Sequence, residues 1–273
     1  MNPELIQKAR SGDGEAFTLL VEPLRPLLLA YLYRRVAAKE EAEDLCQEVL
    51  MSAYLEISQF DAAQSFKLWL FQFASRLADP LTEGRQPWGV SALEVLQDYL
   101  LEHEAIQGEL QATLEEEEEA YSIADHVDFC FTVQAQSLFS KERNVLLLTE
   151  LQGFSDAEAK AITGFPLDEA REKHGEAVEA LRELFAERCS LVKAGAPCTQ
   201  CRDFSEWLSG PEETEEELRD LPLQPTVNPE ASFEKRLQWV AKSHPLRNAS
   251  SRFHEHLMQT LRRALGEKGL LKP

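Results

Sequence analysis

Three cysteines near residue 190 have the spacing of metal ligands: Cys189, then eight residues, Cys198, then two, and Cys201. A Cys-x2-Cys pair beside a turn-shaping Pro197 has zinc-knuckle spacing, and Cys189 supplies a third sulfur. His174 is a possible fourth ligand, but about four helical turns up the helix it lies too far away. Two readings stand level for these thiols: a structural Zn2+ site or redox sensor, or plain reduced cysteines. With Cys46 and Cys130 the total is five, an odd number in a long chain. That favours reduced thiols or ligands over a disulfide framework. No acid/base pair, Ser/His/Asp set or phosphate-cradling glycine loop is recognisable, so the sequence argues against an enzyme.

Charge is unevenly spread over the 273 residues. Acidic residues number 48 against 28 basic ones, a net charge of −20. That balance disfavours a generic nucleic-acid coat, because each neutralised phosphate needs a Lys or Arg. Yet residues 231–273 hold nine Lys/Arg against three Glu. Between Gln86 and Ser140 there is no cation at all, and Glu94 to Asp128 contains twelve acids, including the run Glu115 to Glu119. Such a segment reads as a solvated, self-repelling linker with some helix in it. No stretch reaches the roughly 18–20 uninterrupted apolar residues of a spanning helix, and the N-terminus lacks the apolar core of a signal peptide. The expectation is a cytoplasmic protein with no membrane partner.

Helical spacing recurs almost everywhere, and strand-like alternation is absent. Leu5, Ala9, Phe17, Leu20, Leu24, Leu28 and Leu32 form stripes broken at Gly12-Asp13-Gly14. Leu45, Val49, Ala53 and Ile57 lie four apart on one helix face. Ser65 caps a third helix that turns Phe66, Trp69, Leu70, Phe73 and Leu77 inward, with Pro80 expected to stop it. Further on, Ser140 is a candidate cap for a helix carrying Val145, Leu146, Leu148 and Leu151, ended by Gly153. Ser155-x-x-Glu158 is a capping-box signature for a short helix ended by Gly164, and a longer helix from Pro166 extends to Arg188. This is helix-turn-helix spacing. The tail stripes Phe233, Leu237, Val240 and Phe253, Leu257, Leu261, Leu265 predict two amphipathic helices parted near Pro245.

These residues resemble a known family. Gly12-Asp13, Ala16-Phe17, Leu19-Leu20, the segment Ala42-Glu43-Asp44-Leu45-Cys46-Gln47-Glu48-Val49, Phe60-Asp61 and Ser65-Phe66-Lys67-x-Trp69-Leu70 are similar to the promoter-melting domain of extracytoplasmic-function (ECF) RNA polymerase sigma factors. Residues 140–188 resemble, more weakly, that family's second, helix-turn-helix domain. The resemblance implies an all-α fold of two small helical domains, a sigma region 2-like bundle over 1–80 and a sigma region 4-like domain over 138–190. An acidic linker, 81–137, joins them; a Cys-containing segment, 191–230, and a basic helical extension, 231–273, follow.

The resemblance also assigns roles. Asp44, Gln47, Glu48 and Met51 fall on the outer face of their helix and would dock on polymerase core, carboxylates and amide meeting arginines around one apolar contact. Gln59, Phe60 and Asp61 sit where the family captures a flipped promoter base; Lys67 and Arg76 would hold phosphates. Arg171 and Lys173 would enter duplex DNA with the recognition helix. That helix, however, also carries Asp168, Glu169, Glu172, Glu176 and Glu179, which a phosphate backbone repels. Trp69 and Phe73 are expected in the core. The expected partners are RNA polymerase core, promoter DNA and an anti-sigma factor, with Glu115 to Glu119 imitating nucleic acid in the polymerase RNA path. The rival expectation is a sigma-like adaptor that binds polymerase or a regulator without recognising promoters. A tethered basic tail is expected to pack on residues 94–128 and hold the protein in check.

Overall fold

The computed structural model describes residues 3–115, 121–209, 218, 229–246 and 251–271. Glu116 to Glu119 and most of 210–228 therefore lie outside the described residues. The described chain is all-α, as expected: α1 (Pro3–Arg10), α2 (Gly14–Val21), α3 (Arg25–Val36), α4 (Lys39–Glu56), α5 (Phe66–Glu83), α6 (Ala92–Glu102), α7 (Glu104–Glu115), α8 (Ile123–Ala135), α9 (Ser140–Leu146), α10 (Asp156–Thr163), α11 (Leu167–Arg188), α12 (Gln200–Ser209), α13 (Pro229–Val240) and α14 (Ser251–Glu267).

Local chemistry sets the helix ends. Gly12, at φ +94°, turns the chain after α1, and the Asp13 carboxylate then accepts the amides of Glu15 and Ala16, both at 3.0 Å. The Ser155/Glu158 capping box forms as read, with Glu158 accepting the Ser155 amide at 2.9 Å. Gly164 ends α10 in the left-handed conformation. Two expected ends differ. Pro80 does not stop α5, which continues to Glu83; Thr82 Oγ1 donates to the Ala78 carbonyl at 3.0 Å in the turn where Pro80 sits. Ser140 begins α9 without capping it. Its hydroxyl instead meets Thr82 Oγ1 at 2.7 Å, beside Arg35.

Helices α1–α5 close around one core in which Phe60, Phe66, Trp69 and Phe73 pack ring to ring, with centroids 4.9–5.5 Å apart. Trp69 and Phe73 are buried there, as expected. No single helix is long and apolar enough to cross a membrane. The bent pair α2–α3 passes on length and composition, but Leu20, Leu28, Tyr31 and Leu32 are buried in this core.

The helix-turn-helix segment does not stand apart from that bundle. Helix α10 packs on α5, while α9 and the π-helical turn Leu147–Leu151 that continues it pack near α3. Tyr31 donates to Asn144 Oδ1 at 2.7 Å, and Asn144 Nδ2 donates to Ser75 Oγ at 2.9 Å. The described residues of 81–137, expected as a solvated linker with some helix in it, fold into α6, α7 and α8. Helix α8 is covered on all sides, burying every residue from His126 to Ala135. Helix α14 lies across α6, α7 and α8, with Phe253, Leu257, Leu261 and Leu265 fully buried, and α13 packs on α8 and α11.

The tail thus meets 94–128 through apolar burial. Arg263 pairs with Glu267 of its own helix at 3.1 Å, and Arg262 donates to the Ala37 carbonyl. Among the described residues, polar contacts there include Tyr99 to Glu267 at 3.1 Å, and Thr113 with His256 at 2.9 Å.

At the centre of this packing, Arg34 of α3 reaches Asp128 of α8. Nη2 meets Oδ2 at 2.9 Å, both side chains being 2% exposed. The same nitrogen donates to the Val240 carbonyl at 3.1 Å, and Ser243 Oγ donates to Asp128 at 2.7 Å. One ion pair therefore joins the first bundle, the acidic segment and the basic extension.

Two buried histidines make the packing acid-sensitive. Burial first, then the neighbouring His254 and Arg236 charges, push His126 down to about 3; burial pushes His254 down to about 4. Unfolded, each would titrate near 6.5. Their neutral burial costs nothing above that pH. As pH falls below 6.5 the unfolded chain binds protons that the folded chain refuses, at about 1.4 kcal/mol per pH unit for each histidine. The urea midpoint should fall steeply from pH 7 to pH 5, corresponding to about 2–4 kcal/mol, and a His254→Phe variant should lose less. A flat midpoint over that range would contradict the neutral burial.

Candidate polymerase-docking face and helix-turn-helix

Helix α4 turns Ala42, Leu45, Cys46, Val49 and Ala53 into the core. The alternate face leaves Asp44, Gln47, Glu48 and Met51 in solvent. Met51 is 64% exposed, and one turn on Leu55 is 74% exposed. An apolar pair this open, flanked by carboxylates and an amide, has the composition of a contact surface. The sequence reading omitted Leu55. The signal was available, because Leu55 follows Met51 by four residues and falls off the Leu45–Val49–Ala53 stripe.

The residues expected to contact DNA are dispersed and mostly occupied. Gln59 and Asp61 are exposed, but Phe60 is only 1% exposed, stacked against Phe66 and Trp69. It is a core residue, and the expectation that it meets a base is corrected by this packing. Asp61 accepts the Ala63 amide at 2.9 Å, shaping its own loop. Lys67 donates to the Gln152 carbonyl at 2.5 Å and lies 4.6 Å from the Phe154 ring centroid. Burial there lowers its affinity for a proton. Gln72 donates to the Ala161 carbonyl at 2.8 Å. The helix-turn-helix segment therefore covers the face of α5 that carries Lys67. Arg76 is exposed and paired with Glu56 at 3.3 Å.

On α11 the cations are likewise matched. Arg171 meets Asp156 at 3.3 Å; Lys173 meets Glu176 at 2.8 Å and Glu142 at 3.0 Å, and these hydrogen bonds raise its pKa. Asp168, Glu172, Glu176 and Glu179 face solvent. The exposed surface of α11 from Asp168 to Glu179 is acidic in three dimensions as well as in sequence.

The cysteines fall in two places. Cys46 lies in the first core. Cys189 and Cys198 form a backbone bridge after α11, and Cys201 begins α12 beside them; Cys130 of α8 lines the same small cavity. His174 is elsewhere: its Nε2 meets Glu150 at 2.6 Å, which raises its pKa, so it is not the fourth ligand. Among the described residues no group of three or more His, Cys, Asp or Glu side chains is placed so that it could hold a metal ion.

Comparison with known proteins agrees with the α4–α5 geometry. Residues 20–78 match Sigma-70 region 2. The chain is 25% identical over 185 residues to the ECF RNA polymerase sigma factor SigW of Bacillus subtilis, covering 65% of this chain and 93% of that protein. It is 26% identical over 182 residues to the RNA polymerase sigma-H factor of Pseudomonas aeruginosa, covering 65% and 90%. Among solved structures it is similar to CnrH in complex with the cytosolic domain of CnrY, with a TM-score of 0.47 at 21% identity, covering 66% of this chain and 94% of that one. Residues 20–78 thus match a sigma-70 region 2, and about two thirds of the chain is similar to extracytoplasmic-function sigma factors.

Proposed function

We propose that this chain is an RNA polymerase sigma subunit that docks on the core enzyme through Asp44, Gln47, Glu48, Met51 and Leu55, and that its own C-terminal extension holds it in a closed arrangement. The observation that carries the docking reading is the exposed face of α4, where Met51 and Leu55 stand open between acidic and amide groups. The relatives are named as sigma factors. Core polymerase, promoter DNA and an anti-sigma factor are accordingly the expected partners. The closed arrangement is supported by the burial of α14 on α6–α8 and by Lys67 and Gln72 bonding to the helix-turn-helix segment. Promoter binding would require that segment to leave α5.

A second reading is favoured by one specific observation: the recognition helix is acidic, and its Arg171 and Lys173 are paired within the chain. Under it the protein binds polymerase without reading promoters. Reconstituting purified chain with core polymerase on genomic DNA separates the two. The sigma reading expects transcripts from discrete positions, more abundant with a Leu257→Asp/Leu261→Asp variant that loosens α14. Core binding without discrete starts, in both proteins, would establish the adaptor instead.

A further inference from the structure

Three arginines converge on one cavity of this acidic chain. The cavity, about 330 Å³ in volume, lies where the end of α3, the loop after α5, the end of α8, α9 and α14 meet. Arg85, Arg143 and Arg262 line it, together with Gln136, Trp88 and Leu271. Arg143 and Gln136 are each 4% exposed, so these polar groups are built into the walls. Arg143 Nη1 donates to the Leu138 carbonyl at 3.4 Å, and its Nε has no acceptor among the described residues. Burial and then the Arg35 and Arg85 charges push Arg143 down to about 9, so at neutral pH it stays charged against like-charged neighbours. Three nearby carboxylates are matched already. Asp79 pairs with Arg35 at 2.8 Å, Glu41 with Arg85, and Glu142 with Lys173 at 3.0 Å. Arg262 donates to the Ala37 carbonyl at 3.3 Å. One wall is therefore cationic, and Trp88 and Leu271 make another apolar.

We propose that this cavity binds a small organic phosphate, with its phosphoryl group against Arg85, Arg143 and Arg262 and its apolar body against Trp88 and Leu271. Three guanidinium groups suit a phosphoryl group, which carries close to two negative charges at pH 7 and three acceptor oxygens. A carboxylate brings only one charge and two oxygens. The volume is that of a small-molecule site and exceeds what a single inorganic anion fills. Two negative charges there offset the repulsion that Arg143 bears from Arg35 and Arg85. The position of the site has a structural consequence. Arg85 follows the first bundle, Gln136 belongs to the acidic segment, Arg143 to the helix-turn-helix segment and Arg262 to the basic extension. A bound phosphate thus fastens all four together. The site depends on the packing of the chain itself and holds whether or not α4 meets polymerase.

The test uses the full chain, with phenyl phosphate, inorganic phosphate and benzoate as probes. In calorimetric titration phenyl phosphate should bind at about one equivalent, and it should raise the melting temperature as its concentration rises. Inorganic phosphate should bind about tenfold more weakly or worse, since it leaves the apolar wall uncovered. Benzoate should also bind about tenfold more weakly or worse, since it brings less charge. Arg143→Gln should weaken phenyl phosphate binding about 100-fold, the upper range for one hydrogen bond to a charged group. Because that position is buried, Arg262→Gln at a half-buried one is the second variant, with a loss of about tenfold or more. Arg263→Gln makes the same charge change one residue on, where the side chain is exposed and paired with Glu267, and should keep the native affinity. A native chain that binds no phenyl phosphate, as it would if its own carboxylates filled the cavity, overturns the proposal. So does equal weakening by Arg262→Gln and Arg263→Gln, or an affinity for inorganic phosphate or benzoate equal to that for phenyl phosphate.

Discussion

Asp128→Ala should destabilise the folded chain by about 3–5 kcal/mol, because it strands the Arg34 guanidinium in the interior without its counter-ion. Both side chains are essentially excluded from water, and the contact is two-pronged, from Arg34 Nε at 3.2 Å and Nη2 at 2.9 Å. Water cannot compensate there as it would at the surface. The exposed Arg76–Glu56 pair is the internal control: Glu56→Ala should cost under about 1 kcal/mol, since both partners are resolvated. Replacing both buried partners, as Arg34→Leu with Asp128→Leu, should recover a large part of the loss, with the Val240 carbonyl still deprived of its donor. The effect should also be directional. Asp128 holds Ser243 and Arg34 holds Val240, so early proteolysis in Asp128→Ala should fall in the extension. Denaturant titration of the three variants measures this. A loss below about 1 kcal/mol for Asp128→Ala would show that the node does not hold the extension.

This node also shows where sequence reasoning stopped. Asp128 ends a stretch from Glu94 that holds twelve acids and no Lys or Arg, and in isolation such a stretch is a solvated linker. Its partner lies 94 residues away, so no local pattern announces it. Helix α8 was hidden for a related reason. An amphipathic stripe marks a helix with one dry face, whereas α8 is dry all round and shows no stripe to find. Cys130 could not be joined to the later cysteines by spacing, since the fold and not the chain brings it to them.

What could be read was local or one-sided. The outer face of α4 followed from the four-residue spacing of Leu45, Val49 and Ala53. The Ser155 box and Gly164 followed from capping chemistry, and the buried stripe of α14 from its leucines. Phe60 was misplaced because a loop aromatic can serve a base or a core equally well until its neighbours are known. Pro80 was misjudged because the proline rule describes isolated helices, and α5 is held by tertiary contacts on several sides.

The face of α4 proposed to meet polymerase stands open to solvent. Asp44 and Glu48 are solvent-facing, and no ion pair within the chain is drawn to either among the described residues. Reversing both to lysine should leave helicity and the urea midpoint almost unchanged, since surface substitutions of this kind stay within about 0.5 kcal/mol. Against polymerase the same change replaces two attractive contacts by two repulsive ones, each worth several kcal/mol when desolvated. Affinity should then fall by about 1,000-fold or more. The most direct measurement is equilibrium binding of the full chain to bacterial core RNA polymerase, native against Asp44→Lys/Glu48→Lys. Tight binding by the native chain and its loss in the folded double variant is the predicted result; equal binding by both, or none by either, would contradict polymerase docking through α4.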